Sequence, residues 1–167
     1  MKWAATLPAG DGAGLRGLYL RDNALTELPP GVFASLPRLR ELELTGNGLG
    51  ELPPGIFEGL DSLLFLQLDN NRLDRLRPDV FAARAVVSLR LSTNPLESLP
   101  PGVFRGLPRL GALNLGGNHL ESLRLGYLRG VATPVVAPPR PEPADGSAAG
   151  DLRRSGEPSA AGSLAEL

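Results

Sequence analysis

The chain has 167 residues, room for one domain of ordinary size. Its 17 Lys and Arg nearly cancel its 18 Asp and Glu, which argues against a general nucleic-acid binder that needs clustered cations to neutralise phosphates. It holds no cysteine, so disulfides and cysteine-based zinc or iron–sulfur sites are excluded, and packing and hydrogen bonds alone must hold the fold.

In chain order, the opening MKWAATLPAGDG carries one Lys and a short apolar run ended by Pro8, Gly10 and Asp11, so it does not read as a signal peptide. No window reaches the roughly 18 apolar residues of a membrane-spanning helix. Residues 1–14 are read as a cap-like segment before the first repeat. Trp3 either covers the first leucine layer or sits in a disordered terminus, and both readings stay open.

An internal repeat governs the middle of the chain, residues 15–130. Five blocks align as LxxLxLxxNxL: LRGLYLRDNAL from Leu15, LRELELTGNGL from Leu39, LLFLQLDNNRL from Leu63, VVSLRLSTNPL from Val86 and LGALNLGGNHL from Leu110. Their Asn residues, Asn23, Asn47, Asn71, Asn94 and Asn118, are spaced by 24, 24, 23 and 24. The second half of the repeat recurs as well, in the form ELPPGVFASLPR from Glu27. Phe33, Phe57, Phe81 and Phe104 each follow the Asn of their repeat by ten residues. The recurrent Pro-Pro-Gly argues against a bundle of amphipathic helices, which it would break.

Local chemistry assigns most positions of the repeat. In the LxL core the residues alternate, so Leu18 and Leu20 are expected inside and Tyr19 outside, and likewise along the pairs Leu42/Leu44, Leu66/Leu68, Leu89/Leu91 and Leu113/Leu115. An Asn amide both donates and accepts, so a row of Asn is suited to satisfy the backbone groups that each turn leaves unpaired. Pro fixes φ and Gly allows a positive one, which carries the chain through a turn on the far side. The Phe residues are expected to stack as a buried spine. A single repeat buries too little to fold alone, so neighbouring repeats must share burial.

These motifs closely resemble the leucine-rich-repeat family in its 24-residue subclass, found in ectodomains such as those of Toll-like receptors and lamprey variable lymphocyte receptors. The likeness covers about residues 3–125. It implies an α/β right-handed solenoid, with short parallel strands on the concave face and an irregular or 3-10 convex side. It also implies ligand binding on the concave face. The family's caps are usually tied by cysteines, which this chain lacks.

Two departures from the pattern carry expectations. The third repeat is one residue short and has Arg77 for Pro, Asp79 for Gly and Arg84 for a spine Leu, which predicts an altered convex turn with Arg84 in solvent. In the fifth repeat Leu128 takes the Phe position. Residues 131–167 are rich in Pro, Ala, Gly and Ser without a period and read as a disordered tail or linker, whose first residues could fold over the open end of the solenoid.

Catalytic chemistry finds no constellation. The one histidine, His119, reads as a surface residue. There is no phosphate-cradling glycine loop, nucleophile elbow or paired-histidine zinc motif, and DNNRLD lacks the glycine and terminal Glu of a calcium loop. The expectation is therefore a protein that is not an enzyme and takes no cofactor or metal.

Binding is assigned to the outward strand residues, which vary while the framework repeats. The candidates are Tyr19, Arg21, Glu41, Glu43, Phe65, Gln67, Asp69, Arg90, Ser92 and Asn114. Phe65 and Tyr19 stand out, because exposed aromatics are enriched at interface hot spots. The expected partner is another protein, with a glycan as second candidate, and neither nucleic acid nor a membrane span; a monomer is expected. A scaffold segment of a longer protein and the recognition part of a multidomain enzyme remain as alternatives. The expected location is extracellular or cell-surface if a signal or anchor lies elsewhere, and cytoplasmic otherwise.

Overall fold

A computed structural model describes residues 12–120 and the strand at 135–137. Each repeat forms one coil with one short strand: β1 (Gly17–Tyr19), β2 (Glu41–Glu43), β3 (Phe65–Gln67), β4 (Ser88–Arg90) and β5 (Ala112–Asn114), followed by β6 (Val135–Ala137). They form one parallel sheet in the order β1-β2-β3-β4-β5-β6. Register is strict, so Leu18, Leu42, Leu66, Leu89 and Leu113 stand in line across the strands. The solenoid expected from the repeat is thus present. Its passages opposite the sheet are turns, and the one 3-10 segment among the described residues is Gly12–Gly14.

Alternation places the core as expected. Leu42, Leu44, Leu66, Leu68, Leu89, Leu91, Leu113 and Leu115 are all buried. Leu18 and Leu20 are only partly buried and pack on the core from its rim. They belong to the first coil, which has no described neighbour on its outer side. Phe33, Phe57, Phe81 and Phe104 are buried, and three of them stack: ring centroids lie 6.0 Å apart for Phe57–Phe81 and 5.9 Å for Phe81–Phe104.

The asparagines form a ladder that stitches coil to coil. Asn71 Nδ2 donates to the carbonyl of Leu68 in its own coil at 3.1 Å and to that of Leu44 in the coil before at 2.9 Å. Its Oδ1 accepts from the Leu49 amide at 3.2 Å. Asn47, Asn94 and Asn118 repeat these bonds on their own coils and the preceding ones. Among the described residues the Asn23 side chain bonds to no other coil. It is exposed, and its amide donates to the Arg21 carbonyl instead.

The residue before each ladder Asn adopts a left-handed backbone: Asp22 (φ 54), Gly46 (φ 71), Asn70 (φ 52), Thr93 (φ 55) and Gly117 (φ 71). Glycine, Asn and Asp tolerate this region, whereas a β-branched residue is strained there. Thr93 is exposed, so strain rather than packing dominates at its position. Thr93→Asn should therefore stabilise the protein by about 0.5–1 kcal/mol, read as a higher denaturation midpoint. A lower midpoint would mean that the threonine side chain makes a contact worth more than its strain.

Opposite the sheet, Gly31, Gly55 and Gly102 supply the positive φ that closes the Pro-Pro-Gly turn. The third coil departs here, as its sequence predicts. Asp79 has no positive φ, Arg84 is exposed, and Ala83 takes the buried place that Leu36, Leu60 and Leu107 fill in other coils. The shorter passage after Phe81 also sets its carbonyl against Gly106 of the next coil, where a Cβ would collide with it.

The segment read as a tail or linker contributes one strand at the open end of the solenoid. Val135–Ala137 extends the sheet as β6, register-paired with Ala112–Asn114 of β5. The open edge of a parallel sheet offers backbone donors and acceptors to any extended segment, whatever its side chains, so a non-repetitive sequence can close it. Trp3, Leu128 and the rest of the two terminal segments lie outside the described residues.

Candidate functional site

Strict register turns the outward residues into rows across the sheet. One row runs Gly17, Glu41, Phe65, Ser88, Ala112; the next runs Tyr19, Glu43, Gln67, Arg90, Asn114. Arg21, Thr45, Asp69, Ser92 and Gly116 continue the face just beyond the strands. Hence nine of the ten candidate residues are at least partly open to solvent, and all ten belong to one continuous face. Tyr19 at 61% and Phe65 at 40% are the exposed large apolar side chains of the described core region.

Asp69 is the exception. The repeat places it among the outward residues, and its side chain is only 8% exposed. The Ser92 backbone amide donates to its Oδ1 at 2.8 Å, and the Ser92 hydroxyl donates to the same oxygen. Arg90 Nε lies 2.7 Å from Oδ2, close enough for an ion pair though off the hydrogen-bonding direction. The physical reason is the neighbouring coil, which brings a serine donor and a guanidinium over the carboxylate. Asp69 and Ser92 therefore hold Arg90, whose side chain is half exposed, rather than reaching solvent themselves.

At the other end of the face, the Tyr19 hydroxyl donates to Glu41 Oε2 at 2.6 Å. The ring lies over Gly17, where a Cβ would come within 2.9 Å of it, so glycine at that position makes room for the reach. Arg21 Nη1 sits 3.7 Å from Glu43 Oε1, and its Nε pairs with Asp22 at 3.1 Å. Between these two ends is a shallow depression of about 310 Å³ lined by Glu41, Phe65, Gln67, Ser88 and Arg90. Asn114 turns inward on its own loop and accepts from the Gly116 amide at 3.0 Å.

The hydrogen bond to Glu41 raises the Tyr19 pKa above its ordinary value of 10.0, and the charges of Glu41 and Glu43 push the same way. The sign is that of a group holding its proton more tightly when folded. Its contribution is complete below pH 10.0 and is lost as pH rises through the raised value. In Tyr127→Phe protein, the phenolate absorbance of Tyr19 should appear with a midpoint above 10.0, and Glu41→Gln should move it back toward that value. A midpoint indifferent to Glu41→Gln would remove the contact.

His119, expected at the surface, is exposed beside the last ladder Asn. Among the described residues no three His, Asp or Glu side chains gather as a metal-binding group, and no helix is long and apolar enough to cross a membrane.

A family model of the leucine rich repeat matches residues 9–49, 37–85 and 84–132. The chain belongs to the leucine-rich-repeat family. Among solved structures, this leucine-rich-repeat chain is similar to one from the Drosophila Toll–Spatzle complex, with a TM-score of 0.60 and 34% identity over 64% of its length. A chain of the TLR13–ssRNA13 complex matches with a TM-score of 0.60 and 27% identity over 63%. The repeats span only 14% and 15% of those two chains. No curated protein matches by sequence.

Sequence reasoning missed two features of this face. The Asp69–Ser92–Arg90 arrangement joins residues 21 to 23 positions apart and depends on which side chain the next coil brings alongside. The repeat register could have suggested it, because Asp69 and Ser92 occupy the same position of successive repeats. Gly17, which admits the Tyr19 ring, carried no signal beyond being the smallest residue of its row.

Proposed function

We propose that this leucine-rich-repeat chain is a recognition module that binds another protein on its sheet face, the concave side in the family, and does no chemistry on it. The observation that carries the reading is the exposed pair Tyr19 and Phe65 on a face whose framework is otherwise held rigidly in register. Large aromatics facing solvent on an ordered surface are the side chains that gain most from meeting a partner. The Toll–Spatzle likeness supports a protein ligand.

The TLR13 likeness raises RNA as a competitor, since that chain was solved with an RNA. Charge argues against it here. Arg21 and Arg90 share the face with the carboxylates of Glu41, Glu43 and Asp69, so acids outnumber bases among them. A face with that balance releases few counterions on meeting phosphates. The family's ectodomain members make an extracellular or cell-surface setting the favoured location.

Phe65→Ala and Tyr19→Ala test the reading. Proteins captured by the wild-type chain should be lost or depleted about tenfold or more with the double variant, as expected when hot-spot residues are truncated. A control substitution on the opposite side, Arg105→Ala, should retain them. Circular dichroism should show both variants folded, because neither side chain belongs to the core. Undiminished capture by the double variant would refute the assignment.

A further inference from the structure

The sheet-face depression has a chemical polarity that narrows what can occupy it. Glu41 stands at one end, Phe65 in the middle and Arg90 at the other. Resting on the recognition reading above, we propose that this depression receives a short segment of a protein partner bearing a cation, an apolar side chain and a carboxylate at alternate positions.

Three observations carry the proposal. Glu41 Oε2 is occupied by the Tyr19 hydroxyl, while Oε1 has no partner among the described residues. That carboxylate has no cation of its own there, so a cation from outside is the complement. Arg90 Nε is paired with Oδ2 of an Asp69 carboxylate whose Oδ1 accepts two hydrogen bonds from Ser92, and its two Nη groups make no hydrogen bond to the described residues. A guanidinium held at one edge and open at the other is pre-organised to take a carboxylate, with less rotamer freedom left to lose. Phe65, 40% exposed between them, offers an apolar platform to one side chain.

Spacing agrees with the alternation. Glu41 and Phe65 are register partners on adjacent strands, and Arg90 lies one strand further on, two residues past the Phe65 partner Ser88. Adjacent strands are about 4.8 Å apart, and same-side residues of an extended peptide are about 6.7 Å apart. A cation-x-apolar-x-acid segment therefore spans the depression with its side chains absorbing the difference. Because a peptide can enter in either chain direction, the depression reads this composition and not the order of the two charges. A volume of about 310 Å³ holds a few side chains and no more.

The test uses three short capped peptides, Lys-Gly-Leu-Gly-Asp, Lys-Gly-Leu-Gly-Lys and Asp-Gly-Leu-Gly-Asp, titrated into isotope-labelled full chain and followed by amide shifts at residues 41, 65 and 90. The mixed peptide should bind about fivefold more tightly than either like-charged one, the effect of one exposed charge pair made or lost. Glu41→Lys should transfer the preference to the Asp-Asp peptide, and Arg90→Glu to the Lys-Lys peptide. Equal shifts with all three peptides, no shifts with any, or variants that leave the preference unchanged would overturn the proposal. If a captured partner still depends on Phe65 and Tyr19 in that event, the recognition reading survives and only its ligand chemistry falls.

Discussion

Asn71→Ala is expected to destabilise the protein by about 3–5 kcal/mol, because it leaves one buried backbone amide without a partner at roughly 1–3 kcal/mol and removes one of two hydrogen bonds from each of two buried carbonyls at roughly 0.5–1.5 kcal/mol apiece. The amide is that of Leu49, and the carbonyls are those of Leu44 and Leu68, which keep their bonds from Asn47 and Asn94. They sit where strand becomes turn, and no water-exposed alternative is close, since Asn71 itself is 7% exposed. Ser or Asp could replace only part of the amide's dual role, so neither should restore stability. Asn23→Ala provides the contrast: its side chain is exposed and bonds only within its own turn, so it should change stability by less than about 0.5 kcal/mol. Denaturant unfolding of the two variants measures both. Equal effects would mean that the ladder contributes nothing beyond local turn formation. Against a typical total of about 5–15 kcal/mol, the Asn71 loss would bring the chain close to unfolding.

Phe81→Ala is the second large effect, at about 4–6 kcal/mol. Emptying a buried Phe site costs about 3–5 kcal/mol through lost burial and the residual cavity, and each lost ring stack adds about 0.5–1.5 kcal/mol before relaxation. Among the described residues Phe81 is the one ring stacked on both sides, on Phe57 and on Phe104. It also belongs to the irregular third coil, where Ala83 replaces a leucine and already thins the packing. In a solenoid each coil is stabilised by its neighbours, so a loss in the middle also weakens the coupling of the two halves. The unfolding transition of Phe81→Ala should accordingly be broader as well as earlier, whereas Phe81→Leu should cost only about 1.5 kcal/mol. A sharp transition with a small shift would show that the spine is incidental to the core.

Most of the framework could be read from the residues alone. The LxL alternation assigns the inward leucines, and all of those from Leu42 to Leu115 are buried. Asn at a fixed phase assigns the ladder, and Phe ten residues later assigns the stacked rings. These features are legible because each coil imposes the same physical demand on the same position. What was not legible depends on one coil's particular neighbour. Asp69 looks like any outward polar residue until Ser92 and Arg90 are brought beside it. The left-handed residue before each Asn is suggested by Gly46, Asn70 and Gly117 but hidden by Thr93. Strand β6 arises from an aperiodic segment because edge pairing is a backbone matter that side-chain periodicity does not report.

Radical footprinting of the chain with and without a captured partner tests most directly where recognition happens. With partner bound, oxidation of Tyr19 and Phe65 should fall several-fold, while Pro54 and Pro101 on the turns opposite the sheet keep their free rates. Protection of Pro54 and Pro101 with Tyr19 and Phe65 still freely oxidised would contradict the account.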